Sequence, residues 1–529
     1  MPPKHKRATT SATAATPLKR KSLADLDVQV DTLPEPLEYT PLDGRYEHDA
    51  ESLLPQQPTC PLEYFSYFFN AEIWEVLCEG TNAYYTSQHR SGGEPSERGW
   101  EPVTVREMKI WIGLVIYMGI VVCPSVEDYW AEKTRQRPME AMEQNRFEQI
   151  QRYLHISLPT APPAPAETAW YKKLEPMASM LANSFRSAYK PSSNCAIDES
   201  VLNEGYKIYA ICDHGYTYGF EFYSRVNGFS GNIGDVQSPM LPPMLPPTLP
   251  PTPMLPPPPS IPRTLTPTST TCLRLAKLLP YNNFPFTIFC DSFFSNTSFF
   301  AALRDLGIGA CGSARKAKLP IELQQYDGAH GKDAEWGDLA SVSHDTVLCT
   351  RWQDNAGVFV LTTIHDLNDG VVSNRKRPKK GNPAVRQVDV RKLLTTPPMI
   401  NDFNNHMEGV DIANQLRSYY PQLSSRRSWM PLFYWLLDTA LINSYILYRM
   451  SNPSAEHQQF RLDVLKALLC TLDHTHGLDM CGEGRKEGGS TLGAVSTNDL
   501  FISFHSLNHS RREDPEGRLN DFDGSCTEY

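Results

Sequence analysis

FTIFCDSFFSN, residues 286–296, is the stretch on which the fold turns. Phe286 to Cys290 read as a short, buried central strand, and the run breaks at Asp291 into small and polar residues. Asp291 then stands at the carboxyl end of a strand, the edge where open α/β sheets bind ligands. Asp291, or Ser292 beside it, can equally serve to cap the helix that follows. The residues alone leave both roles open.

Working outward, TCLRLAKLLP (271–280) and SNTSFFAALRDLG (295–307) are helical in pattern and bracket this strand. YKIYAICDHG (206–215), YGFEFYS (218–224), DTVLCTRW (345–352) and GVFVLTTIH (357–365) are further β-like runs. Strands alternating with helices argue an α/β fold. From about Pro61 to Lys190 the pattern is helical instead. Thr104 with Glu107 forms a capping-box signature ahead of a long apolar run. The aromatic and Met stripes of this region read as core, not as a cofactor site.

The 529-residue chain is long enough for two to four domains. A net charge of −10 excludes a uniformly basic nucleic-acid binder, so contact with DNA has to come from local basic patches. The 12 cysteines include no CxxC, and the chain opens MPPKHKRATT without an apolar signal, which fits reduced thiols in cytosol or nucleus. Ile110–Cys123 is too short for a membrane span, and Met430–Tyr448 carries Asp438 and Asn443 in mid-run. Both are expected as buried helices, with no membrane partner.

Two basic clusters, Lys4-His5-Lys6-Arg7 and Lys19-Arg20-Lys21, lie in a polar N-terminal tail and read as an import signal, a DNA-touching arm or a solvated tail. The tract Ser238–Thr268 repeats an M/T-L-P-P unit; it reads as a tolerated surface loop, with an SH3 or WW partner as the other reading. NRKRPKKGNPAVRQVDVRK (374–392) reads as a basic loop. Its Arg375, Lys376, Arg377, Lys379 and Lys380, together with Arg426 and Arg427, are the candidate DNA contacts. Cys470, His474, His476 and Cys481 lack the paired spacing of a zinc site, and no structural zinc is expected. No P-loop, Rossmann fingerprint, GxSxG or HExxH occurs.

Two further aspartates have settings comparable to that of Asp291. Asp198 lies in NCAIDESV at the start of a strand, and Asp411 in MEGVDIANQLR at the head of a helix. Taken singly, each reads equally as a solvated acid or one favoured by a helix dipole. Taken together, three such acids can hold two divalent metals about 3.5–4 Å apart for phosphodiester chemistry. That requires the carboxylates to converge within roughly 5–8 Å.

The ordered set EDYW, RFEQIQRYLHIS, AIDES, GYKIYAICDHGYTYGF, FTIFCDSFFSN, LRDLGIGACGSARK, FNNHMEGVDIANQLRSYY and RRSWMPLFYWLLDTALINSYILY resembles the transposase domain of the piggyBac family, from roughly Pro61 to Arg449. The resemblance implies an α/β ribonuclease H-like catalytic core, a mixed sheet flanked by helices and interrupted by insertions. Beside it would lie a mainly α-helical DNA-binding and dimerisation domain, with disordered termini. It implies Asp198, Asp291 and Asp411 as both the catalytic and the metal-binding residues, with two Mg²⁺ ions. It further implies a nuclear homodimer that cuts and joins double-stranded DNA at element ends and TTAA targets. The alternative is a catalytically inactive, domesticated or decaying DNA- or chromatin-binding protein.

On this reading the chain divides into a basic tail (1–50), a helical region (51–190), a first core part (191–237), a proline-rich insertion (238–270) and a second core part (271–345). An insertion region with the basic loop (346–400), a helix carrying the third Asp (401–417), a helical return (418–476) and a C-terminal tail (477–529) complete it. Three departures from the family pattern stand out. About 15–20 residues usual after the DES-like motif are missing at Val201–Gly205, which is expected to leave a sheet edge unpaired and displace Asp198. The acid usual three residues after the third Asp is Asn414. The C-terminal Cys-rich module is absent.

Overall fold

The structure, a computed structural model, describes residues 39–42, 47–89, 99–131, 137–158, 170–201, 207–223, 263–331, 334–354, 356–367, 370–376, 391–421, 423, 425 and 427–470. The N-terminal basic clusters, the proline tract before residue 263, Arg377, Lys379, Lys380, Arg426, His474, His476 and Cys481 lie outside the described residues.

The chain enters through a short strand, β1 (Glu51–Ser52), and then α1 (Pro61–Phe68), α2 (Ala71–His89), α3 (Val105–Ile120), α4 (Gln144–Tyr153) and α5 (Met177–Ser187). The capping box is formed: Thr104 Oγ1 accepts the Glu107 N–H at 3.2 Å, and the Glu107 carboxylate accepts the Thr104 N–H at 3.1 Å. Strand β2 (Tyr189–Lys190) pairs back with β1 and leads into the sheet.

That sheet contains β3 (Asn194–Val201), β4 (Lys207–Asp213), β5 (Tyr216–Phe222), β6 (Thr287–Cys290), β7 (Gly309–Ser313), β8 (Leu339–His344), β9 (Val347–Gln353) and β10 (Gly357–Thr362). Their order is β5-β4-β3-β6-β7-β10-β9-β8, with β3, β6 and β7 parallel and every other pairing antiparallel. Between them run α6 (Pro267–Ala276), α7 (Thr297–Asp305) and α8 (Ile321–His330). The result is a mixed α/β sheet.

The expected unpaired edge after Asp198 is not present. Val201 pairs directly with Lys207, and β3 is flanked on both sides. Three other expectations are corrected. Helix α6 begins inside the stretch assigned to the proline insertion, because Thr266 caps it and Pro267 takes the first helical turn, where no N–H is needed. The region 346–400 adds β9 and β10 to the main sheet. Its basic segment is no loop throughout: β11 (Val371–Lys376) pairs with β12 (Arg391–Thr396) as a separate hairpin. The helix expected over 401–417 is two, α9 (Pro398–His406) and α10 (Gly409–Ser418), broken at Met407–Glu408.

Helix α11 (Met430–Ser451) and α12 (His457–Cys470) return to the helical region, where α11 packs on α1 and α5 and α12 on α3. No described helix is long and apolar enough to cross a membrane. The polar interruptions of α11 have structural partners. Asn443 is fully buried; its Oδ1 accepts the Thr217 N–H and its Nδ2 donates to the Thr217 carbonyl, both at 2.9 Å. One amide thus satisfies a backbone donor and acceptor of edge strand β5, a burial otherwise costly by about 1–3 kcal/mol per group.

Candidate active site

Strands β3 and β6 bring the first two aspartates together. Their register runs from Asn194 beside Thr287 to Ile197 beside Cys290, and one further step puts Asp198 beside Asp291. In-register residues on parallel neighbours point to the same face, with strands about 4.8 Å apart. Helix α10 lies on that face. A Cβ built on Gly409 would come within 2.9 Å of the Cys212 carbonyl oxygen and 3.2 Å of Ala196 Cβ, so only glycine permits this approach.

Ala196, Asp198 and Ser200 alternate onto the same face, and α10 tracks along them. Gly409 lies over Ala196, and Ser200 Oγ donates to Asn414 Oδ1 at 3.0 Å. Asp411 lies between Gly409 and Asn414 in the sequence of α10 and is exposed. Gly409→Ala is therefore expected to lift α10 from the sheet and lower stability by about 1–3 kcal/mol. Urea denaturation measures this, and an unchanged midpoint would mean that α10 is not pinned there.

The electrostatics agree with the register. Burial, and then the charges of Asp291, Asp411 and Glu199, push the Asp198 carboxyl up to about 7, against one opposing hydrogen bond from the Glu199 N–H at 2.6 Å. The Asp411 carboxyl is also raised, by burial first and then by Glu408 and Asp291. Asp291 does not cap a helix, since Asn296 caps α7 by accepting the Phe299 N–H at 2.9 Å. Instead Asp291 Oδ1 accepts the N–H groups of Phe293 at 2.9 Å and Phe294 at 3.4 Å.

Sequence reasoning gave Lys318 no role. Its ammonium donates to the carbonyls of Ser292 (2.8 Å), Phe293 (2.6 Å) and Ser295 (3.2 Å), bracing the turn after Asp291. Burial lowers the Lys318 pKa, and Asp291 opposes that shift. The signal was the basic run SARKAK that closes β7, which looks like ordinary surface charge in isolation.

Asn414 faces β3. Its Oδ1 accepts from Ser200 and from Arg417 Nη1 (2.9 Å), and its Nδ2 donates to the Glu199 carbonyl at 3.3 Å. Arg417 Nη1 and Trp435 Nε1 also donate to Ser200 Oγ, at 3.2 and 2.9 Å. The expected acid is thus replaced by a neutral link between α10, β3 and α11.

The donor set suits a hard divalent cation. All three acids offer oxygen, they repel one another, and among the described residues no Lys or Arg forms a salt bridge with any of them. They are not yet a closed cage: no three His, Cys, Asp or Glu side chains among the described residues are clustered to hold an ion. Oδ1 of Asp198 and of Asp291 are turned onto local backbone N–H groups.

The other candidates fall elsewhere. Arg375 and Lys376 lie on β11, opposite Lys392 and Arg391. Arg427 is half-buried and donates to the carbonyls of Leu154 (2.8 Å) and Gln151 at the end of α4.

A family model described as Transposase IS4 matches residues 60–445. The chain is 23% identical over 406 residues to the human PiggyBac transposable element-derived protein 5, covering 74% of this chain and 71% of that protein. The fold is similar to that in a cryo-EM structure of a piggyBac transposase synaptic complex with hairpin DNA, with a TM-score of 0.60 at 17% identity, over 78% of this chain and 81% of that one.

Proposed function

The chain belongs to the piggyBac transposase family, and from that premise we propose that it is a metal-dependent DNA strand-cleaving and strand-joining enzyme acting at TTAA sites. The observation that carries this reading is the side-by-side placement of Asp198 and Asp291 at the ends of parallel pairing, with α10, the helix that bears Asp411, packed on the same face of β3. Acids at adjacent strands inside a mixed sheet, with a helix supplying the third, support a ribonuclease H-like core.

Asp198, Asp291 and Asp411 would hold Mg²⁺. Bound there, the metal would activate the attacking oxygen and neutralise the leaving oxygen of a phosphodiester. The chain's own residues set the stage. Gly409 and Asn414 hold the Asp411 helix against β3, and Lys318 fixes the turn that carries Asp291.

DNA binding has its own support. The β11–β12 hairpin places Arg375 opposite Lys392 and Lys376 opposite Arg391. Four basic residues on one hairpin carry the charge to neutralise phosphates of a polyanion. The helical region 51–190 with its return, 418–476, is the proposed DNA-binding and dimerisation unit, and the nucleus the proposed site of action.

A second reading, a DNA-binding protein without catalysis, is favoured by Asn414, whose amide is committed to Glu199, Ser200 and Arg417 where the family pattern places an acid. Nicking of TTAA-flanked DNA decides between them. Mg²⁺-dependent cleavage by the full chain, lost in Asp291→Ala, is expected; binding without cleavage by the unaltered chain would favour the second reading.

A further inference from the structure

Phe293 stands two residues beyond Asp291 with its ring 36% exposed, while its neighbour Phe294 is 1% exposed and packed edge-on against Tyr209 at 5.4 Å. The turn thus anchors one aromatic ring and presents the other. Two cations lie over the presented ring as cation–π partners: Lys207 Nζ is 5.5 Å and the Arg315 guanidinium 6.0 Å from its centroid. Lys207 is shared with Glu199 at 2.8 Å, whereas Arg315 forms no ion pair among the described residues.

The backbone that carries the ring is braced. Lys318 binds the Phe293 carbonyl at 2.6 Å, and Asp291 Oδ1 accepts the Phe293 N–H at 2.9 Å. An exposed aromatic on a braced turn takes a nucleobase on its face once the two long cationic side chains turn from the ring to the neighbouring phosphates. In the interior of a duplex both faces of each base are already stacked, so such a seat favours an unpaired base.

We propose that Phe293, with Lys207 and Arg315, is a stacking seat for an unpaired nucleobase next to the three aspartates. This rests on the strand-cleaving reading for its purpose, though not for its test. The seat holds the frayed or overhanging end of a DNA strand, so that the adjoining phosphodiester lies at the carboxylates.

The test uses the full chain in EDTA, so that cleavage plays no part. Two probes are compared: a blunt duplex, and the same duplex with a four-nucleotide TTAA overhang carrying 2-aminopurine. The unaltered chain is expected to prefer the overhang and to quench 2-aminopurine. Phe293→Ala should weaken overhang binding about five- to a hundredfold, abolish the quench and leave blunt-duplex affinity unchanged. Phe293→Trp should retain both preference and quench.

Equal binding of the two probes by the unaltered chain overturns the seat. So does an overhang affinity that Phe293→Ala leaves unaltered. A chain that never nicks DNA yet shows the Phe293-dependent preference would keep the seat and sink the enzymatic reading alone. Normal nicking without that preference would do the reverse.

Discussion

Asp438→Ala is expected to lower the free energy of unfolding by about 3–5 kcal/mol, the largest stability loss foreseen for one substitution in this chain. Asp438 and Arg461 are each 1% exposed, with Arg461 Nη2 donating to Asp438 Oδ1 at 3.0 Å. A second buried guanidinium, Arg417, feels the same carboxylate, and burial lowers its pKa to about 10. Its Nε has no hydrogen-bond partner. Removing Asp438 strands two cations in the core, in a protein whose total stability is on the order of 5–15 kcal/mol. Asn414→Asp, which would set a carboxylate beside Arg417, should restore about 1.5 kcal/mol to the Asp438→Ala chain. Urea denaturation measures both, and an Asp438→Ala midpoint equal to that of the unaltered chain would refute the proposed charge balance.

Asp198→Asn is expected to act with opposite signs on stability and activity. The folded chain binds the Asp198 proton more tightly than the unfolded chain, about 7 against an ordinary 3.8. The contribution of Asp198 to metal-free stability is therefore greatest at low pH, declines as pH rises from about 4 to about 7, and is flat above. The decline is at most about 4 kcal/mol, at roughly 1.4 kcal/mol per tenfold step in proton affinity. Asparagine can still accept the Glu199 N–H but carries no charge, so the variant should lose this decline and exceed the unaltered chain at pH 8 in EDTA. Cleavage should fall at least about a hundredfold, as when one preorganised charge-stabilising group is removed. Unfolding midpoints at pH 5 and 8 test the first half, and indistinguishable pH dependences would refute it.

Local patterns were legible in the sequence where one element decides its own structure. The apolar run before Asp291, the Thr104–Glu107 capping box and the buried character of Met430–Tyr448 all follow from short windows. What escaped was non-local. No window shows that Asp198 will sit one register step beyond the pairing of Ile197 with Cys290. The Trp435–Ser200 bond spans 235 residues, and the Asn443 cap of β5 spans 226.

Punctuation misled as well. Pro267 looked like the end of a low-complexity tract and instead opens a helix. The basic run around Arg375 hid a hairpin because its charges mask the strand alternation. In sequence Asn414 is only a missing acid, whereas its meaning lies in Arg417 and Ser200, which only the fold brings to it.

Calorimetric titration of Mg²⁺ into the full chain, without DNA, tests most directly whether the three aspartates form one metal site. Saturable binding is expected, with proton release near pH 7 as Asp198 ionises, and with binding lost or strongly weakened in each of Asp198→Asn, Asp291→Asn and Asp411→Asn. Binding that all three substitutions leave intact would show that these acids do not form one metal centre.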